Sequence, residues 1–446
     1  MKNLAFAFIL IKMQYEVKSA ASIQGTFTVP GDKSISHRAL LLASLADGDS
    51  EIYGLSTGDD VRSTEGCLKA LGVQIKKVTD GGDSGRGVVV TGKNKRGFSP
   101  PVGVLDAGNS GTTMRLLTGV LAGQKFESVI TGDETLRRRP MQRIVDPLLQ
   151  MGANIVPTYN MTAPIRIFPS DRLKGIKYEL PLPSAQVKSA LLFAGLFAEG
   201  ETVIVEPVES RDHTERMLGL RKELVPGGYQ IKIKSEYQIK PMKYTVPGDI
   251  SSAAFFLSAA AILPGSSVTA RAITVNPTRT GFLEVLKKMG AKVVIENVMI
   301  VANEPIGDVT VSHSELHGIE IKGDIIPRVI DELPIIAVVG AFAEGETVVR
   351  DAHDLRRKES DRIVAVVDNL ASMGANVEEL DDGFVVRGTG ELSGSIVDSY
   401  KDHRMAMAFT IAGICAKGKT IVKNAEWASI SFPEFFTILE KLIVRS

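Results

Sequence analysis

The chain has 446 residues, 44% hydrophobic and 23% charged, a globular composition too long for one ordinary core, so at least two domains are expected. Lys+Arg and Asp+Glu both number 52, and this zero net charge argues against a nucleic-acid or anionic-membrane surface while leaving room for a local basic pocket. Cys67 and Cys415 lie in apolar, helix-like context and read as buried core thiols in a reducing cytosol, not as a disulfide or metal pair.

In chain order, Met1-Lys2 and the apolar run Leu4 to Ile11 have the outline of a signal peptide. Lys12 interrupts the run, no clear small-x-small cleavage site follows, and Met13 opens an ordinary start. Residues 1–12 are therefore read as an extension or disordered tail. No later segment has about 18 uninterrupted apolar residues, so no membrane span is expected.

A small-apolar helix ending in Gly, a β-branched strand, a polar loop and a second helix then recur. The junctions are Leu45-Ala46-Asp47-Gly48, Leu121-Ala122-Gly123, Phe197-Ala198-Glu199-Gly200, Ile262-Leu263-Pro264-Gly265, Phe342-Ala343-Glu344-Gly345 and Ala416-Lys417-Gly418, spaced roughly 65 to 80 residues apart, which indicates duplication. Glu199 to Val203 and Glu344 to Val348 are the same pentapeptide. Met141, Ile144, Val145, Leu148 and Met151 fall on one helical face, and Ile363, Val366, Val367, Leu370 and Met373 repeat that spacing. Pro30-Gly31-Asp32 and Pro247-Gly248-Asp249 each precede a helix and are read as the points where the chain passes between two lobes. The first lobe then takes residues 13–31 plus 248–446, and the second takes 32–247.

Polar residues collect where helices begin. Lys33-Ser34-Ile35-Ser36-His37-Arg38 places Ser34 and Arg38 on one helical face, with Lys33 just outside the helix. Asp106 to Arg115 is a Gly-rich turn into a helix whose small residues let an anion approach backbone N–H groups. Ser184-Ala185-Gln186 supplies hydroxyl and amide donors, and Asp402-His403-Arg404 opens the last such helix. The loops before the second helices carry Gly58-Asp59-Asp60, Asp133 to Arg139, Ser210 to Arg216, Asn276 to Arg279 and Leu355 to Arg362; the sixth, Ser429 to Pro433, lacks charge. Equivalent loops of a repeat tend to lie on one face, and helix N-termini there bind anions. Together they point to a small, highly anionic ligand. His313 and His317, four apart in a polar run, do not make a metal site.

Pro30 to Ala39, Gly108 to Arg115, Arg139-Pro140-Met141, Ser184 to Ser189, Ser210 to Glu215, Lys358 to Arg362 and Asp402-His403-Arg404, in this order, resemble the 5-enolpyruvylshikimate-3-phosphate synthase family, in its class II-like branch. The resemblance runs from about Met13 to the C-terminus. It implies an α/β, two-lobed enolpyruvyl transferase fold of six βαβαββ-type units, three per lobe, as an inside-out α/β barrel. It implies transfer of the enolpyruvyl group of phosphoenolpyruvate to the 5-hydroxyl of shikimate 3-phosphate, with no metal or organic cofactor and no nucleic-acid or membrane partner. A cytoplasmic monomer is expected. By motif position, Lys33, Ser34, Arg38, Ser184, Ala185, Gln186, Ser210, Asp331 and Lys358 would hold shikimate 3-phosphate. Lys33, Gly111, Arg139, Gln186, Arg362 and Arg404 would hold phosphoenolpyruvate. Asp331 would be the base on the 5-hydroxyl and Glu359 the acid toward the methylene carbon, with Lys33 as the alternative donor. Gly111 implies sensitivity to glyphosate, since a methyl there would crowd a slightly longer inhibitor more than the substrate. Two positions depart from some relatives: Ile430 stands where they have Lys, and Leu116 where they have Pro.

UDP-N-acetylglucosamine enolpyruvyl transferase is the nearest alternative; many of its members use a loop Cys as acid, whereas both cysteines here are in helical context. A non-catalytic anionic-metabolite sensor would lack Asp331 or Glu359, and both are present. The cations around Glu359 (Arg356, Arg357, Lys358 and Arg362) should lower its pKa, so it is expected to be ionised until both substrates bind.

Overall fold

The unit is plainest in residues 105–168. Strand Leu105–Asp106 leads to helix Gly111–Leu121, strand Ser128–Thr131, helix Gln142–Gln150 and strands Asn154–Val156 and Ile165–Phe168. The first two strands pair in parallel; Ser128–Thr131 and Asn154–Val156 both pair antiparallel to Ile165–Phe168. The same pattern recurs around strand pairs Lys177–Glu179 with Glu201–Glu206 and Glu320–Ile321 with Gly345–Val349. This computed structural model describes residues 14–78, 87–170 and 172–444. The extension read at residues 1–12 lies outside them.

Six sheets are found among the described residues, and two of them show how the chain is threaded. Strand Ser22–Phe27, from the chain start, lies parallel to Ser267–Thr274, whereas Lys243–Thr245 returns to lie parallel to Asp49–Tyr53. Residues 30–32 and 247–249 therefore run side by side. Asp32 N–H donates to the Pro247 carbonyl at 2.7 Å and Asp249 N–H to the Pro30 carbonyl at 3.0 Å. A Cβ on Gly31 would collide with the Gly54 carbonyl, which explains the glycine at this crossing.

The sheets lie outside and the helices inside. Helices Lys33–Leu45, Gly111–Leu121 and Ala185–Gly195 are buried in one core, which draws on residues 35–246. Helices Ile250–Ile262, Leu333–Phe342 and His403–Cys415 fill a second, built from Val17, Ile23, Phe27 and residues 250–442. Being apolar on nearly every side, they suit burial between sheets; the one-sided helices Gln142–Gln150 and Arg362–Ser372 lie further out. Cys67 is buried, but Cys415, at the last turn of its helix, is only half-buried.

The helix starts carry side-chain caps. Asp32 accepts from Ile35 N–H at 2.9 Å, Ser110 from Thr113 at 3.1 Å, Asp249 from Ser251 at 2.8 Å and Asp402 from Arg404 at 2.8 Å. With Asp32 as the cap, Lys33 is the first helical residue and not outside the helix.

Candidate active site

A cleft enclosing about 2200 Å3 of space, its open mouth included, is shared by residues of both cores. The N-terminal turns of four buried helices reach it through Lys33 and Ser34, Gly111 and Thr112, Ala185 and Gln186, and His403 and Arg404, and their aligned N–H groups favour anions. Every residue assigned from the sequence lines it: Lys33, Ser34, Arg38, Gly111, Arg139, Ser184, Ala185, Gln186, Ser210, Asp331, Lys358, Glu359, Arg362 and Arg404.

Asp331 and Glu359 are surrounded by cations. Asp331 pairs with Arg211 and lies 3.5 Å from Arg362, 3.7 Å from Lys358 and 3.8 Å from Arg404. Burial alone would push its carboxyl up, but Arg211, Arg404, Lys358 and Arg362 outweigh that and hold it well below the usual carboxylate range. Glu359 is 2.7 Å from Arg362 and 3.2 Å from Arg139. Burial again pushes upward, and the charges of Arg362, Arg139 and Lys33 outweigh it, so Glu359 is ionised at neutral pH. Arg356 takes no part. It turns away to Asp361 at 2.9 Å and Glu379 at 2.8 Å and serves the local fold.

Arg362 is anchored from behind. Asp402 accepts from its Nε at 2.8 Å, and although burial pushes its pKa down, the facing charges of Asp402 and Glu359 outweigh that and leave it raised. Arg38 is more committed than its sequence position indicates. Its Nε donates to Thr214 and one Nη to Ser189, both at 2.7 Å, while the other Nη donates to the Ser34 carbonyl at 2.9 Å. Burial lowers its pKa to about 10. Lys33 donates to Asp60 at 2.8 Å, and Arg139 to Asn109 at 3.2 Å. Burial of the Lys358 ammonium lowers its pKa.

Sequence reasoning assigns no site role to Arg211, Arg115, Asp60 or Asn109, all of which line the cleft. Arg115 donates to Gln186 Oε1 at 2.8 Å, and Gln186 donates to Thr112 at 3.0 Å. Arg115 and Arg211 stand inside the Gly108 to Arg115 and Ser210 to Glu215 motifs, so a signal was there. A Cβ on Gly111 would lie 2.6 Å from Arg115 Nη1 and 3.4 Å from Arg139 Nη1, so an added methyl presses on guanidiniums. The loop Asn276 to Arg279 does not share the cleft. Arg279 is buried at the crossover, 3.2 Å from Asp32 and 3.1 Å from Asp249. Among the described residues no cluster of His, Cys, Asp or Glu is arranged to hold a metal ion, and no helix is long and apolar enough to cross a membrane.

Two lobes of βαβαββ units closing on a cleft of arginines and lysines define the enolpyruvyl transferase class of fold. A family profile for EPSP synthase (3-phosphoshikimate 1-carboxyvinyltransferase) matches residues 17–439. A 3-phosphoshikimate 1-carboxyvinyltransferase of Desulforamulus reducens is 48% identical, the match covering 97% of this chain and 100% of that one. One from Thermodesulfovibrio yellowstonii is 47% identical over 96% of this chain and 99% of its own. A solved EPSP synthase structure from Acinetobacter baumannii superposes with a TM-score of 0.85 at 40% identity, covering 97% of this chain and 99% of that chain. The chain belongs to the EPSP synthase family.

Proposed function

We infer that the protein transfers the enolpyruvyl group of phosphoenolpyruvate to the 5-hydroxyl of shikimate 3-phosphate and releases phosphate, as a step of the shikimate pathway. The observation that carries this beyond family membership is the convergence in one cleft of the acid–base pair Asp331 and Glu359 with cations from both cores. Two substrates that together bring two phosphates and two carboxylates need such a density of charge, and arginine forks suit both groups.

The roles divide as follows. Ser34, Arg38, Ser184, Ala185, Gln186, Ser210 and Lys358 hold shikimate 3-phosphate. Lys33, Gly111, Arg139, Gln186, Arg362 and Arg404 hold phosphoenolpyruvate. Asp331 takes the 5-hydroxyl proton as that oxygen bonds to the central carbon of phosphoenolpyruvate, Glu359 gives a proton to the methylene carbon, and loss of a methyl proton with expulsion of phosphate then restores the double bond. In the unliganded protein these two carboxylates occupy the cations that substrate anions need. As the phosphate and carboxylate groups of the substrates take over Arg139, Arg362, Arg404 and Lys358, both side chains lose their stabilising partners and their pKa values climb. That makes Asp331 a stronger base and Glu359 a proton donor. Bringing an ordinary glutamate from about 4.3 to neutrality takes roughly 4 kcal/mol of such bias, and Glu359 starts below that value. Lys33 is the second candidate donor, and it lies beside Asp60.

The two cores support a division into lobes 13–31 plus 248–446 and 32–247, and the protein is taken to act as a cytoplasmic monomer. Phosphate release on mixing protein, shikimate 3-phosphate and phosphoenolpyruvate tests the activity. No phosphate with this pair, but phosphate with UDP-N-acetylglucosamine as acceptor, transfers the protein to the neighbouring enzyme class.

A further inference from the structure

Behind the wall that carries Ser184 and Ser210 lies a charged cluster sealed from solvent. Lys188 is fully buried and pairs with Glu206 at 2.5 Å and Glu215 at 2.7 Å. Glu206 is itself fully buried, and its second oxygen accepts from Ser210 twice, from the hydroxyl at 2.7 Å and from the backbone N–H at 3.2 Å. Lys188 also reaches the Ser210 carbonyl at 3.4 Å. Thr214, next to Glu215, accepts from Arg38 Nε and shares a 2.8 Å hydrogen bond with Ser189, next to Lys188.

Stability does not account for this arrangement. Replacing a buried ion triad by apolar residues is often neutral or stabilising, because two or three charges must be stripped of water to build it. Its connections indicate another use. Lys188 sits one turn into the helix that presents Ser184, Ala185 and Gln186 to the cleft, and through Glu206 it is fastened to the loop that presents Ser210. The Ser210 hydroxyl has one proton, now spent on Glu206. If that proton swings to an incoming phosphoryl oxygen, Glu206 keeps Lys188 and the Ser210 N–H, so no buried carboxylate is orphaned in either state.

We propose that Lys188 and Glu206 are positioning residues for the acceptor substrate: they hold the Ser210 loop in register with the Ser184 helix and leave the Ser210 hydroxyl able to turn to the phosphate. This rests on the functional reading above, and it separates the two substrates, because the triad touches none of the residues assigned to phosphoenolpyruvate except through the Gln186 helix.

The test is steady-state kinetics on full-length variants. Glu206→Leu leaves Lys188 paired with Glu215 and should raise KM for shikimate 3-phosphate about tenfold, with kcat and KM for phosphoenolpyruvate within about twofold. Glu206→Gln, which keeps an acceptor for Ser210, should return KM to within about threefold of the parent. Ser210→Ala should match Glu206→Leu, and the double variant should add little, since both remove one interaction. A parallel rise in both KM values, or effects that multiply in the double variant, overturns the proposal. Should Glu206→Leu not fold, Glu206→Asp decides, as it keeps the charge and withdraws the acceptor by one methylene. A threefold or larger rise in KM for shikimate 3-phosphate alone supports the proposal, and an unchanged value overturns it. A parent protein inactive on this substrate pair removes the functional reading and this inference together; an active parent whose variants show no split removes only the inference.

Discussion

Two clusters of buried charge stand where the two cores meet, and they are built for opposite purposes. At the crossover, Arg279 is 2% exposed and lies between Asp32 and Asp249, and one Nη also donates to Ser251 at 2.8 Å. All of these partners are outside the cleft lining, so a ligand in the cleft does not compete for them. In the cleft, Arg362 is equally buried and Arg139 nearly so, but the carboxylate they share, Glu359, lines the cleft and is the proposed acid. The same kind of ion pair is a fastener in one place and, on the proposed roles, a stand-in for substrate in the other. What separates them is access to the cleft.

This contrast is broken most sharply by substitutions on each side. Glu359→Gln should lower kcat by about 10^2 to 10^4 while chemical denaturation shifts little, because a neutral amide can still accept from Arg362. In the parent, forming the complex with both substrates near pH 7 should take up close to one proton, visible when binding heats are compared in buffers of different ionisation enthalpy. Near-normal turnover in Glu359→Gln together with an inactive Lys33→Met would move the acid role to Lys33.

Arg279→Met should do the reverse and cost about 3 to 5 kcal/mol of unfolding free energy, since Asp32 and Asp249 are left buried without their counter-charge. An unfolding curve superimposable on the parent's would show that the crossover is not a fastener.

Acid should loosen the fold before it breaks the crossover pair. Burial lowers the pKa of His37 to about 3 and of His403 to about 4, so both are neutral in the folded protein. Their depressed pKa values stabilise the fold fully above the unfolded value of about 6.5, and that contribution is lost as pH falls towards the folded values, by about 1 to 3 kcal/mol per pH unit for the two. Burial raises and Arg279 lowers the Asp32 carboxyl, which ends at about 2, so the crossover pair persists through this range. Urea unfolding between pH 7.5 and 4.5 measures the slope; a flat profile would falsify the assignment of two buried neutral imidazoles.

Gly111→Ala should raise the glyphosate inhibition constant about tenfold and KM for phosphoenolpyruvate several-fold less, because the methyl displaces Arg115 and crowds Arg139. Equal changes in both constants would mean that the methyl acts on the shared guanidinium and not on inhibitor length. The smallest effect belongs to Arg143 and Asp354, which join across the cleft mouth at 3.1 Å with both side chains at least 40% exposed. Arg143→Ala should change stability by no more than about 1 kcal/mol, an effect that salt abolishes in the parent.

The repeat and the helix starts were legible because each is written locally, whereas the membership of the cleft was legible only through the resemblance of its motifs to a known family. A cap followed by an apolar run makes a helix wherever it stands, and four such starts, at Lys33, Gly111, Ala185 and His403, bring their polar residues to one cleft. Pro30-Gly31-Asp32 and Pro247-Gly248-Asp249 marked the crossing for the same reason. Other assignments could not be read this way. Arg279 and Arg362 both follow polar loops, and nothing within either loop separates a crossover fastener from a substrate clamp. Arg356 and Lys358 are two residues apart, yet one faces Glu379 and the other Asp331. Lys188 stands one turn into a helix, and its partners lie 18 and 27 positions further along. Sequence determines which charges a chain carries and which local elements present them. Which charges lose their water, and which carboxylate each then finds, depends on segments that meet only when the lobes pack, and the energy of a buried charge is set by those neighbours.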